Sequence, residues 1–182
     1  MVAEMNLAGV DVGILQADHV YGNLNEYFSQ AAKDYPGRFV GLAQIWEPEA
    51  DDPGRLENLE RGIRAYGNKG LYFSVEPFSV LQQDIALNDA KFDPLWKLVQ
   101  ELQVPIFWFL DDRTINRVDM FMRRGAELDE WARRHPDIPS LITHGLVPAA
   151  IIHQIGIPEE VIALLRLCDL FVFPSLYEGF GV

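Results

Sequence analysis

Three stretches of one segment, Gly70-Leu71-Tyr72-Phe73-Ser74-Val75, Phe92-Asp93-Pro94-Leu95-Trp96-Lys97-Leu98-Val99-Gln100-Glu101-Leu102 and Val104-Pro105-Ile106-Phe107-Trp108-Phe109-Leu110, decide the fold class. The outer two are short, apolar and rich in β-branched and aromatic residues, which suits strands and is too short for helices. The middle one sets Phe92, Leu95, Trp96, Val99 and Leu102 along one helical face. It opens on Asp93-Pro94, a carboxylate beside the first free N–H groups followed by a proline whose fixed φ suits a first helical position. Strand, helix, strand within about 40 residues describes a βα unit with a parallel return.

The same alternation runs through the chain. Further strand-like runs cover residues 10–15, 39–45, 140–146 and 169–174, so successive strands start roughly 30 to 36 residues apart. Asp52-Pro53 and Gly156-Ile157-Pro158-Glu159-Glu160 repeat the helix-start signal, and Pro36-Gly37, Gly67 and Gly70 supply stop and turn signals. Ile115, Val118, Met122, Leu128 and Trp131 approximate another apolar helical face, and residues 1–9 read as the tail of a helix feeding the first strand. Parallel βα units admit a doubly wound sheet or a (β/α)₈ barrel. The regular unit length favours the barrel, whose full form takes about 250 residues. The expectation is an α/β chain, residues 1–182 forming one partial domain: an incomplete TIM barrel of about six βα units with the first and last missing.

Composition narrows function. With 182 residues, 49% hydrophobic and 12% aromatic, the chain has material for one globular core and is not a disordered segment. Its 27 acidic against 15 basic side chains give a net charge of −12, which repels phosphate backbones and anionic membrane surfaces, and no local basic patch offsets it. No apolar run reaches membrane-spanning length and the first residues lack a signal-peptide pattern, so a cytoplasmic location is expected. The lone Cys168 excludes an intrachain disulfide and a cysteine-based zinc site, and its apolar context reads as core.

In parallel α/β folds the C-terminal ends of the strands form the rim where small-molecule sites are built. On that rim the chain places Gln16, Asp18 and His19, then Gln44 and Glu47, Ser74 and Glu76, Asp111, Asp112 and Arg113, His144, and finally Ser175 and Glu178. A polar pocket for a small-molecule substrate is one account; loops that are polar in any case, with Asp111, Asp112 and Thr114 capping a helix, is the other. His144 stands apart because Leu141-Ile142-Thr143-His144-Gly145 puts it inside a strand-like run before a glycine. An imidazole there suits metal ligation, carbonyl polarisation or proton transfer, and a satisfied core histidine would look the same. His135 reads as a helix C-terminus, His153 has no partner at ligand spacing, and no HxH, HExxH or CxxC occurs.

The run Gly9-Val10-Asp11-Val12-Gly13-Ile14-Leu15, the segment Tyr35-Pro36-Gly37-Arg38-Phe39-Val40-Gly41-Leu42-Ala43, the strand Lys69-Gly70-Leu71-Tyr72-Phe73, the pairing of Phe92-Asp93-Pro94-Leu95-Trp96 with Val104-Pro105-Ile106-Phe107, and Ile142-Thr143-His144-Gly145 follow one another in a familiar order. Over residues 1–168 the chain resembles the amidohydrolase-related TIM barrels, the predicted metal-dependent hydrolases that include aminocarboxymuconate-semialdehyde and γ-resorcylate decarboxylases. The resemblance implies a divalent metal, often zinc, held by a histidine or acid pair on the first strand, a histidine on the fifth and an aspartate on the eighth, with a further histidine on the sixth. His144 matches the sixth-strand position, as a metal-proximal and catalytic residue. At the fifth-strand place, counted from Pro105, stands Phe109, and Asp111 is the candidate substitute. Asp18, His19, Glu76 and Asp112 become candidate substrate contacts. With the first and eighth strands missing, the metal set is incomplete and the chain is expected to be inactive or nearly so.

Residues 157–182 carry a second, local resemblance: Phe173-Pro174-Ser175-Leu176-Tyr177-Glu178-Gly179-Phe180-Gly181 is similar to the donor-binding loop of GT4-type glycosyltransferases of the GT-B fold. It implies nucleotide-sugar binding, with Glu178 near the donor. Coverage favours the amidohydrolase-like reading. A third account is a non-catalytic barrel fragment whose exposed strand edges drive homo-oligomerisation.

Overall fold

The computed structural model describes residues 1–75, 77–78, 81–110 and 118–143, with backbone only for 118–122. Helix α1 (Val2–Ala8) feeds strand β1 (Gly13–Leu15), and a 3-10 turn (His19–Tyr21) leads into α2 (Asn25–Asp34). Strands β2 (Phe39–Gly41) and β3 (Ala43–Gln44) follow, then a 3-10 turn (Glu47–Glu49) and α3 (Pro53–Arg64). The chain continues through β4 (Leu71–Ser74), a 3-10 turn (Ala90–Phe92), α4 (Asp93–Leu102), β5 (Ile106–Phe109), α5 (Val118–Arg134) and β6 (Ser140–Thr143). Five of the six expected strand runs are therefore present, the second split in two; residues 169–174 and the helix start at 156–160 lie outside the described residues.

All strand pairs are parallel: β1 with β2, and β3, β4, β5 and β6 in that order. The split at Leu42 is a hand-over between neighbours. Leu42 N–H donates to Leu15 O at 2.9 Å and Ala43 N–H to Gly70 O at 2.7 Å, so one extended segment joins both sheets. Strand neighbours thus follow chain order without the reversal that marks a doubly wound sheet, as a barrel wall requires.

Side-chain alternation separates two faces. Ala43, Ile45, Leu71, Phe73, Val75, Ile106, Trp108 and Leu110 pack under the helices with Leu59, Leu95, Trp96, Val99, Leu128 and Trp131. Leu42, Tyr72, Phe107 and Phe109 form a smaller cluster on the other face. Phe73, Phe92, Trp96, Trp108 and Trp131 stack with ring centroids 4.8 to 5.7 Å apart, the geometry in which aromatic pairs attract beyond their burial.

The expected helix start at Asp52 is present: its carboxylate accepts Arg55 N–H at 3.0 Å ahead of Pro53. Asp93 corrects the expectation. It is the first helical residue and makes no capping bond, because a 3-10 turn extends the helix backwards and Asp89 caps that turn by accepting Lys91 N–H at 2.9 Å. β1 starts at residue 13 rather than 10. Val10 N–H closes the end of α1 on Met5 O, and the Arg38 guanidinium takes the Val10 and Asp11 carbonyls, so this backbone is committed before the ladder begins.

Candidate functional site

The segment after β1 is fixed by a side chain from β3. Gln44, 2% exposed, accepts Leu24 N–H on Oε1 at 2.9 Å and donates from Nε2 to Ala17 O at 2.6 Å, gripping both ends of residues 17–24. Asn25 in turn grips the Gln44 backbone: its Oδ1 accepts Gln44 N–H at 2.7 Å and its Nδ2 donates to Gln44 O at 3.3 Å. Asp18 and His19 are thereby brought to the C-terminal ends of β3 and β4, where one Asp18 oxygen lies 3.5 Å from the Tyr72 hydroxyl.

Glu47 meets them there. Its side chain is fully buried, Oε1 accepts Ser74 N–H at 2.7 Å at the end of β4, and Oε2 lies 2.6 Å from His19 Nε2. Both facing atoms are sealed from water. Burial pushes the Glu47 carboxyl above the usual carboxylate range, while His19 and the Ser74 N–H pull it back. Trp46 stands edge-on to His19, ring centroids 4.9 Å apart at 85°.

Beside this pair opens a cavity of about 200 Å³ lined by His19, Asn23, Gln44, Trp46, Arg55 and Asn58, among others. The Arg55 guanidinium is paired with Glu49 at 2.7 Å. A guanidinium, an imidazole, amide groups and an indole wall suit a small polar molecule.

Of the expected site residues, the structure brings Asp18 and His19 together with Gln44, Ser74 and Tyr72; Glu76, Asp111, Asp112 and His144 lie outside the described residues. Glu47 was legible only as a rim residue. Its burial beneath His19 was signalled by the sequence Ile45-Trp46-Glu47-Pro48, an acid flanked by large apolar groups right after a buried strand. Phe109 points to the Tyr72 face, ring centroids 5.9 Å apart, and is 1% exposed.

A resident divalent metal finds no adequate cage among the described residues, where no three His, Cys, Asp or Glu side chains converge. His19 and Glu47 face one another, and the Phe109 ring offers no lone pair. The described residues alone therefore do not fit the metal.

The sequence model described as amidohydrolase matches residues 3–177, nearly the whole chain. The chain belongs to the amidohydrolase family. The match takes in most of residues 157–182. No curated protein matches the sequence. Among solved structures, 4-oxalomesaconate hydratase from Rhodopseudomonas palustris is similar at 17% identity and a TM-score of 0.65, covering 91% of this chain and 51% of its own. A 2,6-dihydroxybenzoate decarboxylase from Rhizobium is similar at 15% identity and a TM-score of 0.61, covering 78% and 54%. A 5-carboxyvanillate decarboxylase from Novosphingobium aromaticivorans, complexed with manganese, is similar at 17% identity and a TM-score of 0.60, covering 78% and 47%. At these identities the likeness establishes the fold, that of the amidohydrolase TIM barrels. The chain spans about half the length of these proteins.

Proposed function

We propose that this amidohydrolase-family chain holds part of a (β/α)₈ barrel whose chemistry is metal-dependent hydrolysis or non-oxidative decarboxylation of a small carboxylated or cyclic molecule, in the cytoplasm. The observation that carries this reading is the contact of His19 with the buried Glu47 at the C-terminal strand ends, beside a small polar cavity and with Asp18 3.5 Å from the Tyr72 hydroxyl, in a chain matched to the family over residues 3–177. Asp18 and His19 contact the substrate, with Glu76 and Asp112 as further contacts from the neighbouring rim segments. His144 is the metal-proximal catalytic residue and Asp111 the substitute for a ligand at the fifth strand. A divalent metal, were one held with the help of His144 and Asp111, would supply Lewis acidity toward a carboxylate or water.

By themselves the 182 residues turn over little or nothing, because Phe109 stands where the family resemblance places a histidine ligand. Calorimetric titration with 2,6-dihydroxybenzoate, with and without manganese, alongside a carbon dioxide assay, tests both parts. Saturable binding weakened several-fold by Asp18→Ala, without carbon dioxide release, is expected. No binding under either condition contradicts the substrate class, and turnover abolished by His144→Ala overturns the claim of inactivity.

A further inference from the structure

Glu47 has no place in the ligand set that the family resemblance implies, yet it is 0% exposed, whereas the other buried acid among the described residues, Glu127, is 9% exposed. An ionised carboxylate withdrawn from water is costly unless it is paired and hydrogen-bonded, and Glu47 is both. Three rim segments meet there: the turn after β1 gives His19, the turn after β3 gives Glu47 itself, and the end of β4 gives the Ser74 N–H. We propose that His19 and Glu47 form a coupled proton-transfer pair, in which His19 exchanges a proton with an oxygen of a small molecule bound in the adjoining cavity and Glu47 is the positioning residue.

The inference stands on geometry that needs no metal and applies whatever the reaction. His19 lines the cavity with part of its side chain, 18% exposed, while its Nε2 is sealed against Glu47. The imidazolium and the carboxylate are neutral together. When His19 gives up its proton, one N–H bond breaks, one O–H bond forms on the ligand, and the pair is left with one negative charge on Glu47, held by the Ser74 N–H. Recovery of the proton reverses the step. Burial disfavours that lone charge on Glu47. The edge-on indole of Trp46 restricts rotation of the ring. Among the described residues, the other charged groups around the pair are the adjacent Asp18, whose carboxylate reaches toward Tyr72, and Arg55 of α3 across the cavity, paired with Glu49.

Nitrogen-15 detected titration of the histidine rings in the 182-residue chain, in wild type, Glu47→Gln and Glu47→Asp, tests the proposal. The expected result is a His19 midpoint lower by about one pH unit or more in Glu47→Gln and partly restored in Glu47→Asp, a rescue that loss of packing would not give. An unchanged midpoint in a folded Glu47→Gln chain overturns the pairing. Should that variant not fold, wild type still decides: linked titration steps in the His19 and Glu47 side-chain signals support coupling, and independent single steps overturn it. Acetate as a probe addresses the cavity. Saturable movement of the His19 signals, lost when Asn58→Phe fills the space, is expected, and no movement overturns the exchange with a bound molecule.

Discussion

Glu47 shows how one residue couples stability to pH. Its carboxyl titrates above the ordinary value of 4.5 in the folded chain, because burial outweighs the attraction of His19. The native state then binds a proton that the unfolded state has released, so the contribution from this group is fully present below about pH 4.5 and is lost as pH rises through the folded value. Thermal unfolding of wild type and Glu47→Gln from pH 4.5 to 7.5 should show wild type losing stability relative to the variant as pH increases; a constant difference would contradict the assignment. His135 behaves in the opposite sense. Burial beside Trp131, ring centroids 4.9 Å apart, holds its pKa below 6.5, so its contribution is present above 6.5 and is lost as pH falls toward the folded value.

Elements are held in place by buried amides as much as by apolar packing. Asn25 satisfies both backbone groups of Gln44, and Asn68 Nδ2 donates to Asn25 O at 3.1 Å, so α2, β3 and the loop before β4 share one network. Asn25→Leu strands buried donors and acceptors and should cost about 2 to 4 kcal/mol in urea unfolding. Gly41 is equally constrained: a Cβ there would collide with Asn68 Oδ1 and lie 2.7 Å from Phe28 Cβ, so Gly41→Ala should cost about 1 to 3 kcal/mol. Strand positions were legible because β4 and β5 are apolar on both faces, and Asp52-Pro53 marked a true helix start. Asp93-Pro94 misled by one residue at the helix start, because the capping carboxylate is Asp89, ahead of the 3-10 turn that leads into the helix. The site was half legible. Polar residues after strands named Asp18 and His19, but the clamp of Gln44 and the pairing of Glu47 join residues 20 or more positions apart, which local pattern does not encode.

At the scale of the molecule, the helical face is locked by aromatic packing and one buried cation. Trp108, fully buried among Phe73, Trp96 and Trp131, should cost about 3 to 5 kcal/mol when changed to Ala. Arg124, 3% exposed, reaches Ile85 O at 2.6 Å and Glu127 at 2.7 Å, while Glu127 accepts Leu87 N–H at 3.1 Å, so α5 ties down residues 85–87. Arg124→Ala removes the donor to the Ile85 carbonyl and leaves Glu127 with Arg123 as its remaining cation, and should cost about 1.5 to 3 kcal/mol. Among the described residues no helix is long and apolar enough to cross a membrane. β1 pairs on one side only among the described strands, and Val10, Val12 and Ile14 are 43 to 51% exposed. Self-association through this edge is expected, with light scattering showing dimers that Ile14→Lys reduces to monomers; a wild-type monomer at high concentration would refute it.

The most direct test of the account is metal content by elemental analysis after equilibration with manganese and with zinc, in wild type, Phe109→His and His144→Ala. A family barrel with an incomplete ligand set predicts well under one metal per wild-type chain and a marked gain in Phe109→His. Near-stoichiometric metal in wild type that disappears in His144→Ala would contradict it, since a complete site would then survive without a histidine at position 109.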